Sequence, residues 1–304
     1  MTARWRPRRH RSERTASRRQ VLGGLCAGLA VSTFANAATA PDAVGEELTL
    51  LERRIGGRIG LAACSSSGSL RIDYRGHERF AMCSTFKLML AAAILARVDA
   101  AQLRPDQLMH YSPDGLLANS PVTTAHADEG ALPLQEMARA VVEVSDNTAA
   151  NQLLALIGGP PGYARFLRTL GDHNTRLDRI ELALNSNLPG DVRDTTTPRA
   201  MLADMSQVLL GDTLSAGSRE RLLQWLRDCR TGRERLRAQL PSGWSAGDKT
   251  GTGERGANND LAIFWPPGAA PLLIACYLSG SQQPAAELNA AHARIGALVA
   301  HALA

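Results

Sequence analysis

Asp260-Leu261-Ala262-Ile263-Phe264-Trp265 and Leu272-Leu273-Ile274-Ala275-Cys276-Tyr277-Leu278 are two short, largely apolar runs on either side of Pro266-Pro267-Gly268. The Pro-Gly break marks a turn, and the runs read as strands. Just upstream, 245–249 reads as a third strand, and 284–303 closes the chain as a helix. The opposite end repeats the pattern. Leu48, Leu51 and Ile55 have helical spacing over 46–55, ended by Gly56-Gly57. Strands follow at 58–64 and 70–74, around the turn Ser65-Ser66-Ser67-Gly68-Ser69. Between the two ends the chain is mostly helical, at 84–98, 134–144, 148–157, 163–170, 198–210 and 218–229. Gly158-Gly159-Pro160-Pro161-Gly162 breaks that pattern once, and 172–198 is irregular. A loop so long inside a compact domain is usually functional or disordered. Strands at both ends around a helical block predict an α/β sheet domain made from both chain ends, with an all-α domain inserted.

The first 40 residues stand apart. They hold eight arginines against Glu13, then an apolar stretch over 21–34, then Ala35-Asn36-Ala37 and Ala38-Thr39-Ala40. That is the order of a secretory leader, and Ser17-Arg18-Arg19-Gln20-Val21-Leu22 resembles a twin-arginine export signal. Leu25 before Cys26 argues against lipidation. The whole chain carries 34 Lys+Arg against 29 Asp+Glu, whereas 41–304 carries 26 against 28, a net charge of −2. The basic balance therefore belongs to the leader, and no nucleic-acid footprint remains. Cys64, Cys83, Cys229 and Cys276 are too few and too widely spaced for a disulfide scaffold, although Cys64 and Cys276 sit in strands and are candidate neighbours.

Three short motifs carry chemistry. Ser84-Thr85-Phe86-Lys87 places an amine one helical turn from a hydroxyl, and serine needs a neighbouring base to act as a nucleophile. Taken alone, this reads equally as a capping serine and a surface lysine. Composition argues otherwise: the chain has 32 arginines and two lysines, Lys87 and Lys249. Arginine cannot deprotonate, whereas a buried lysine shifts its pKa readily. Both positions thus call for an amine. Lys249-Thr250-Gly251 ends a strand in small residues, where a substrate can approach the backbone. Gly251-Thr252-Gly253-Glu254-Arg255-Gly256 also fits a dinucleotide fingerprint, but a strand rather than a helix follows it. Ser145-Asp146-Asn147 stands at a helix start.

In this order the three motifs resemble the signature set of class A β-lactamases and penicillin-binding proteins. Arg179-Ile180-Glu181-Leu182-Ala183-Leu184-Asn185 and the segment 189–198 resemble the class A omega loop, so the likeness spans essentially all of 41–304. The resemblance implies an α/β fold: a five-stranded antiparallel sheet flanked by N- and C-terminal helices, an inserted all-α domain, and the active site between them. It implies domains at 41–79 with 229–304, and at 80–228, with the omega loop over 179–194. By the same resemblance Ser84 attacks the lactam carbonyl, in an oxyanion hole made by the N–H groups of Ser84 and Thr252. Lys87, or Glu181 through water, is the acylation base. Ser145 protonates the leaving nitrogen beside Lys249. Asn147 binds the substrate's side-chain amide, and Glu181 and Asn185 hold the hydrolytic water. Lys249, Thr250, Thr252 and Arg235 take the substrate carboxylate. Asn258 stands where other members keep that arginine, so Arg235 is expected to substitute. Arg179 and Asp194 bridge the ends of the loop. Leu182 stands where many members have proline, often after a cis peptide. Some members pair the cysteine at Cys83 with one at the position of Gly253; here that disulfide is expected to be absent.

The expected partner is a small β-lactam, with no nucleic acid, no membrane once the leader is cleaved, no cofactor and no metal. The expected state is an exported monomer, periplasmic or secreted. A D,D-peptidase or an acylated sensor shares the three motifs, but Glu181 and Asn185 are placed to activate a water. A metal hydrolase fails on inventory, because the seven histidines form no H-x-H or H-E-x-x-H.

Overall fold

The computed structural model describes residues 40–67 and 70–303. The leader therefore lies outside the described residues, except for Ala40, as does the tip of the first hairpin. In chain order the elements are α1 (Ala40–Ile55), β1 (Arg58–Ser65), β2 (Leu70–Tyr74), β3 (Phe80–Ala81) and α2 (Phe86–Asp99). Next come β4 (Leu108–His110), α3 (Pro121–Ala125), β5 (Ala131–Pro133), α4 (Leu134–Glu143), α5 (Asn147–Leu156) and α6 (Gly159–Thr169). The chain ends with β6 (Thr195–Thr196), α7 (Pro198–Leu209), α8 (Ala216–Arg227), β7 (Ser245–Thr252), β8 (Asn258–Trp265), β9 (Leu272–Ser279) and α9 (Ala285–Leu303).

The five predicted strands form one antiparallel sheet in the order β2-β1-β9-β8-β7. The apolar runs of β8 and β9 are continuous because both faces are covered. Side chains alternate across a strand, and in β9 Leu272, Ile274, Cys276 and Leu278 join Leu48 of α1 and Ile295 and Val299 of α9 in one core. Leu273, Ala275 and Tyr277 point the other way, into a second core with Met89, Met137, Leu153, Tyr163, Met205 and Leu222 from the helical block. α2 runs through the middle of that block with Phe86 to Leu95 all buried, so it needs no polar face. Each Leu or Phe buried there contributes about 1.5–3 kcal/mol.

Several local expectations need correction. Ser84 does not open the long helix; it lies in a 3-10 turn, Cys83–Thr85, ahead of α2. The break expected over 158–162 is confined to Ile157-Gly158, and Gly159-Pro160-Pro161-Gly162 forms the first turn of α6, where the missing proline N–H groups cost nothing. Cys64 and Cys276 are not partners: in register Cys64 faces Leu273 and Cys276 faces Leu61. The stretch 172–198 contains one short strand, because Thr195 and Thr196 pair with Ala81 and Phe80. No helix among the described residues is long and apolar enough to cross a membrane.

Candidate active site

Ser84 stands where the helical block meets the edge strand β7. Asn259 of β8 donates to the carbonyls of Ala81 and Met82 (2.9 and 3.1 Å), tying the nucleophile's turn to the sheet. Gly251 lets β7 approach this turn, since a Cβ there would meet Met82 O at 2.7 Å and Thr85 N at 3.1 Å. One helical turn on, Lys87 Nζ donates to Ser84 Oγ at 3.0 Å. The amine is fully buried, and it also meets Ser145 O (2.9 Å), Ser145 Oγ (3.3 Å), Asn147 Oδ1 (2.5 Å) and Glu181 Oε1 (2.9 Å). Burial pulls the Lys87 pKa down, and the Glu181 carboxylate pushes it back up. Ser145 holds its place in a left-handed backbone conformation (φ 60°) that L-residues seldom adopt, and such strain persists where its surroundings enforce it. Asp146, the cap of α5, also accepts from the N–H groups of Val122 and Thr123, both at 3.0 Å.

The loop at 179–194 brings in the carboxylate. Glu181 Oε1 accepts from Ser84 Oγ (3.2 Å), and Oε2 accepts from Asn185 Nδ2 (2.7 Å). The Glu181 backbone is pinned on both sides by Asn151, which donates to its carbonyl (2.9 Å) and accepts from its N–H (3.0 Å). The Glu181–Leu182 peptide is cis. Arg179 Nε meets the fully buried Asp194 Oδ2 at 2.5 Å, and Asp194 Oδ1 accepts from the N–H groups of Asp178 and Arg179. Asp194 O accepts from Met82 N (2.9 Å), so the loop's anchor also braces the nucleophile's segment. Breaking a buried ion pair costs about 3–5 kcal/mol. Arg179 remains about one-fifth exposed, so Asp194→Ala is expected to cost somewhat less, about 2–4 kcal/mol. Thermal unfolding and acyl-enzyme lifetime should both respond, the lifetime lengthening as Glu181 loses its footing. An unchanged lifetime would separate this pair from the site.

On the opposite wall Lys249 is also fully buried, and its Nζ donates to Ser145 Oγ (3.2 Å) and Thr250 O (2.8 Å). Burial is the largest influence on it and lowers its pKa to about 7. Arg235 lies behind the end of β7. It donates to Gly251 O (3.0 Å), Asn259 O (2.7 Å), Thr252 Oγ1 (2.7 Å) and Asn289 Oδ1 (3.1 Å). A Cβ on Gly253 would lie 2.6 Å from both Cys83 Sγ and Asn185 O, so the two positions adjoin, with a single sulfur between them. Burial pushes the Cys83 thiol up to about 12, which makes it a small apolar filler rather than a nucleophile.

Ser84, Ser145, Asn147, Asn185, Arg235, Thr250 and Thr252 line one cleft of about 560 Å³, with Lys87, Glu181 and Lys249 immediately beneath its floor. Arg179 and Asp194 lie outside the cleft. Asn119 lines it, while the neighbouring Ser120 is buried in contact with Thr148. Sequence reasoning missed Asn151, Asn259 and Thr231. Only Asn151 left a signal, standing four residues after Asn147 on the same helix face. Among the described residues no group of three or more His, Cys, Asp or Glu side chains is placed to hold a metal ion.

The profile of the "Beta-lactamase enzyme family" matches residues 43–303. The chain is 42% identical over 257 residues to "Beta-lactamase OXY-2" of Klebsiella oxytoca, covering 84% of this chain and 88% of that one. It is 45% identical over 255 residues to a "Beta-lactamase" of Amycolatopsis lactamdurans, covering 84% and 83%. Among solved structures it resembles "Ancestral (GNCA) Beta-lactamase class A", with a TM-score of 0.83, 49% identity, and 86% and 100% of the two chains covered.

Proposed function

The chain belongs to the class A serine β-lactamases and hydrolyses the amide bond of β-lactams, and on that premise we propose penicillins and cephalosporins as its substrates and how its residues divide the work. Ser84 Oγ attacks the lactam carbonyl, and its proton passes to Glu181. The observation that carries this reading is the pair of hydrogen bonds at Ser84 Oγ, which accepts from Lys87 at 3.0 Å while donating to Glu181 at 3.2 Å. A hydroxyl that donates to a carboxylate and accepts from an ammonium is poised to lose its proton to the carboxylate. The N–H groups of Ser84 and Thr252 stabilise the oxyanion. When the C–N bond breaks, the nitrogen takes the proton of Ser145 Oγ, Lys87 restores it from 3.3 Å, and the protonated Glu181 returns the Ser84 proton to the Lys87 amine across 2.9 Å, so that Glu181 is a carboxylate again. Glu181, oriented by Asn185, then deprotonates the water that attacks the acyl carbon, and Ser84 recovers its proton as the product acid leaves. Asn147 holds the substrate's side-chain amide.

Lys249, Thr250, Thr252 and Arg235 are assigned to the substrate carboxylate, a cationic and hydroxyl clamp suited to an anion. This gives a sign for the pH dependence. The Lys249 ammonium is lost as pH rises through about 7 in the free enzyme. The carboxylate partner and the donor to Ser145 are lost with it. We expect kcat/KM to fall on a basic limb starting near there. In kcat the limb should move upward, because a bound carboxylate favours the charged amine. Lys249→Arg, which stays charged, should push the limb of kcat/KM out of the neutral range. A limb unmoved by that change would assign it to another group. The activity itself is tested by turnover of a chromogenic cephalosporin with the mature protein; a single burst followed by a stable adduct would replace hydrolysis with a penicillin-binding role.

We further propose that the protein works as a monomer in two domains, 41–79 with 229–304 and 80–228, the cleft lying between them. Export as a periplasmic or secreted enzyme through a twin-arginine leader over 1–40 is supported by that segment's arginines, apolar run and two A-x-A sites.

A further inference from the structure

Thr250 is assigned a hydroxyl donated to the substrate carboxylate, yet that hydroxyl is already engaged. Its Oγ1 lies 2.6 Å from Thr231 Oγ1, a contact so short that one of the two must donate to the other. Thr231 Oγ1 in turn lies 3.3 Å from Cys229 Sγ, within hydrogen-bond range for sulfur. Thr231 is exposed and lines the cleft, whereas Cys229 is buried. The three groups form a file from the protein interior to the cleft floor. Each hydroxyl has one proton to give. If Thr250 gives its proton to the incoming anion, only Thr231 can supply the proton of the 2.6 Å contact. Thr231 is then left as an acceptor at the position facing the Cys229 S–H.

We infer that Thr231 is a positioning residue for carboxylate recognition: it donates to Thr250 Oγ1 so that the Thr250 proton faces the substrate, with Cys229 supporting it from beneath. This rests on the reading that Thr250 binds the carboxylate. In a file of donors all running one way, each hydrogen bond polarises the next toward the charge. Reversed, the same contact would present an oxygen lone pair to an anion. The inference gives Thr231 a role that a surface threonine would not have, and it links the clamp to a residue outside the three motifs.

The test compares benzylpenicillin with its methyl ester on Thr231→Val, Thr231→Ser, Cys229→Ala and Thr250→Val. Hydrogen bonds to charged groups are strong enough that Thr231→Val should raise KM for the acid by about five- to tenfold with kcat little changed. The ester should change by less than about twofold, Thr231→Ser should restore the acid, and Cys229→Ala should fall in between. Equal losses on acid and ester, or no loss on the acid, would overturn the role of Thr231. The control separates the two layers of the argument. If Thr250→Val discriminates acid from ester and Thr231→Val does not, this inference fails alone. If neither discriminates, the assignment of Thr250 to the carboxylate fails with it.

Discussion

Replacing Glu181 with alanine is expected to yield a protein that acylates and then stays acylated. Glu181 is the carboxylate within hydrogen-bond reach of Ser84 Oγ, and it is the group that Asn185 orients. Without it the base that Asn185 orients toward the hydrolytic water is gone, and steady-state turnover should fall by about 10³-fold or more, the scale of a lost general base. Acylation survives for a reason that lies in the ion pair. The carboxylate is the main influence that raises the Lys87 pKa against burial, ahead of Asp146. With the carboxylate gone, burial lowers the Lys87 pKa further, which favours a neutral amine 3.0 Å from Ser84 Oγ, able to take its proton. Intact-mass measurement should therefore find a persistent adduct equal to the full mass of the β-lactam. A variant that neither turns over nor carries an adduct would mean that Lys87 cannot replace Glu181 in acylation. Stability carries the same signature. A buried amine with a depressed pKa disfavours folding as pH falls, because the unfolded chain binds a proton that the folded chain refuses. The melting temperature of Glu181→Ala should thus drop relative to wild type more steeply toward acid pH.

The second large effect is expected from Lys87→Arg, which keeps the charge and removes the amine. The Lys87 ammonium is a compact group surrounded by Ser84 Oγ, Ser145 O and Oγ, Asn147 Oδ1 and Glu181 Oε1 at 2.5–3.3 Å. A planar guanidinium is larger, presents its donors in a rigid fork, and cannot return or accept a proton at neutral pH. Its entry must displace at least one of Ser145, Asn147 and Glu181, each assigned a part in the reaction. The expected loss in kcat/KM is about 10³-fold. Lys249→Arg provides the contrast. Lys249 has fewer contacts, to Ser145 Oγ and Thr250 O, and its main assigned task is to meet an anion, which arginine also does. That variant should retain activity within about 10–100-fold. Small losses at both positions would mean that charge suffices at each, and that the need for an amine does not explain why a chain with 32 arginines keeps lysine there.

The sheet was legible in the amino-acid sequence because β8 and β9 carry short apolar runs separated by Pro266-Pro267-Gly268, and β1 and β2 flank the turn at 65–69. The chemistry was legible because Ser84-x-x-Lys87, Ser145-Asp146-Asn147 and Lys249-Thr250-Gly251 are each local, with members close enough in sequence to share one helix turn or one strand. The composition added that Lys87 and Lys249 stand out in a chain of 32 arginines. What the sequence could not contain is the distance between those motifs. The 3.0 Å from Lys87 to Ser84 follows from helical spacing, but the 2.9 Å from Lys87 to Glu181 exists only because Asn151 and the Arg179–Asp194 pair hold a long loop against α2. The same holds for Gly253 beside Cys83, for Asn259 under Met82, and for the Thr250–Thr231–Cys229 file. Local spacing sets which side chains share a face. Contacts between residues many positions apart depend on how the covered sheet and the helical block pack, and that packing decides which groups exchange a proton.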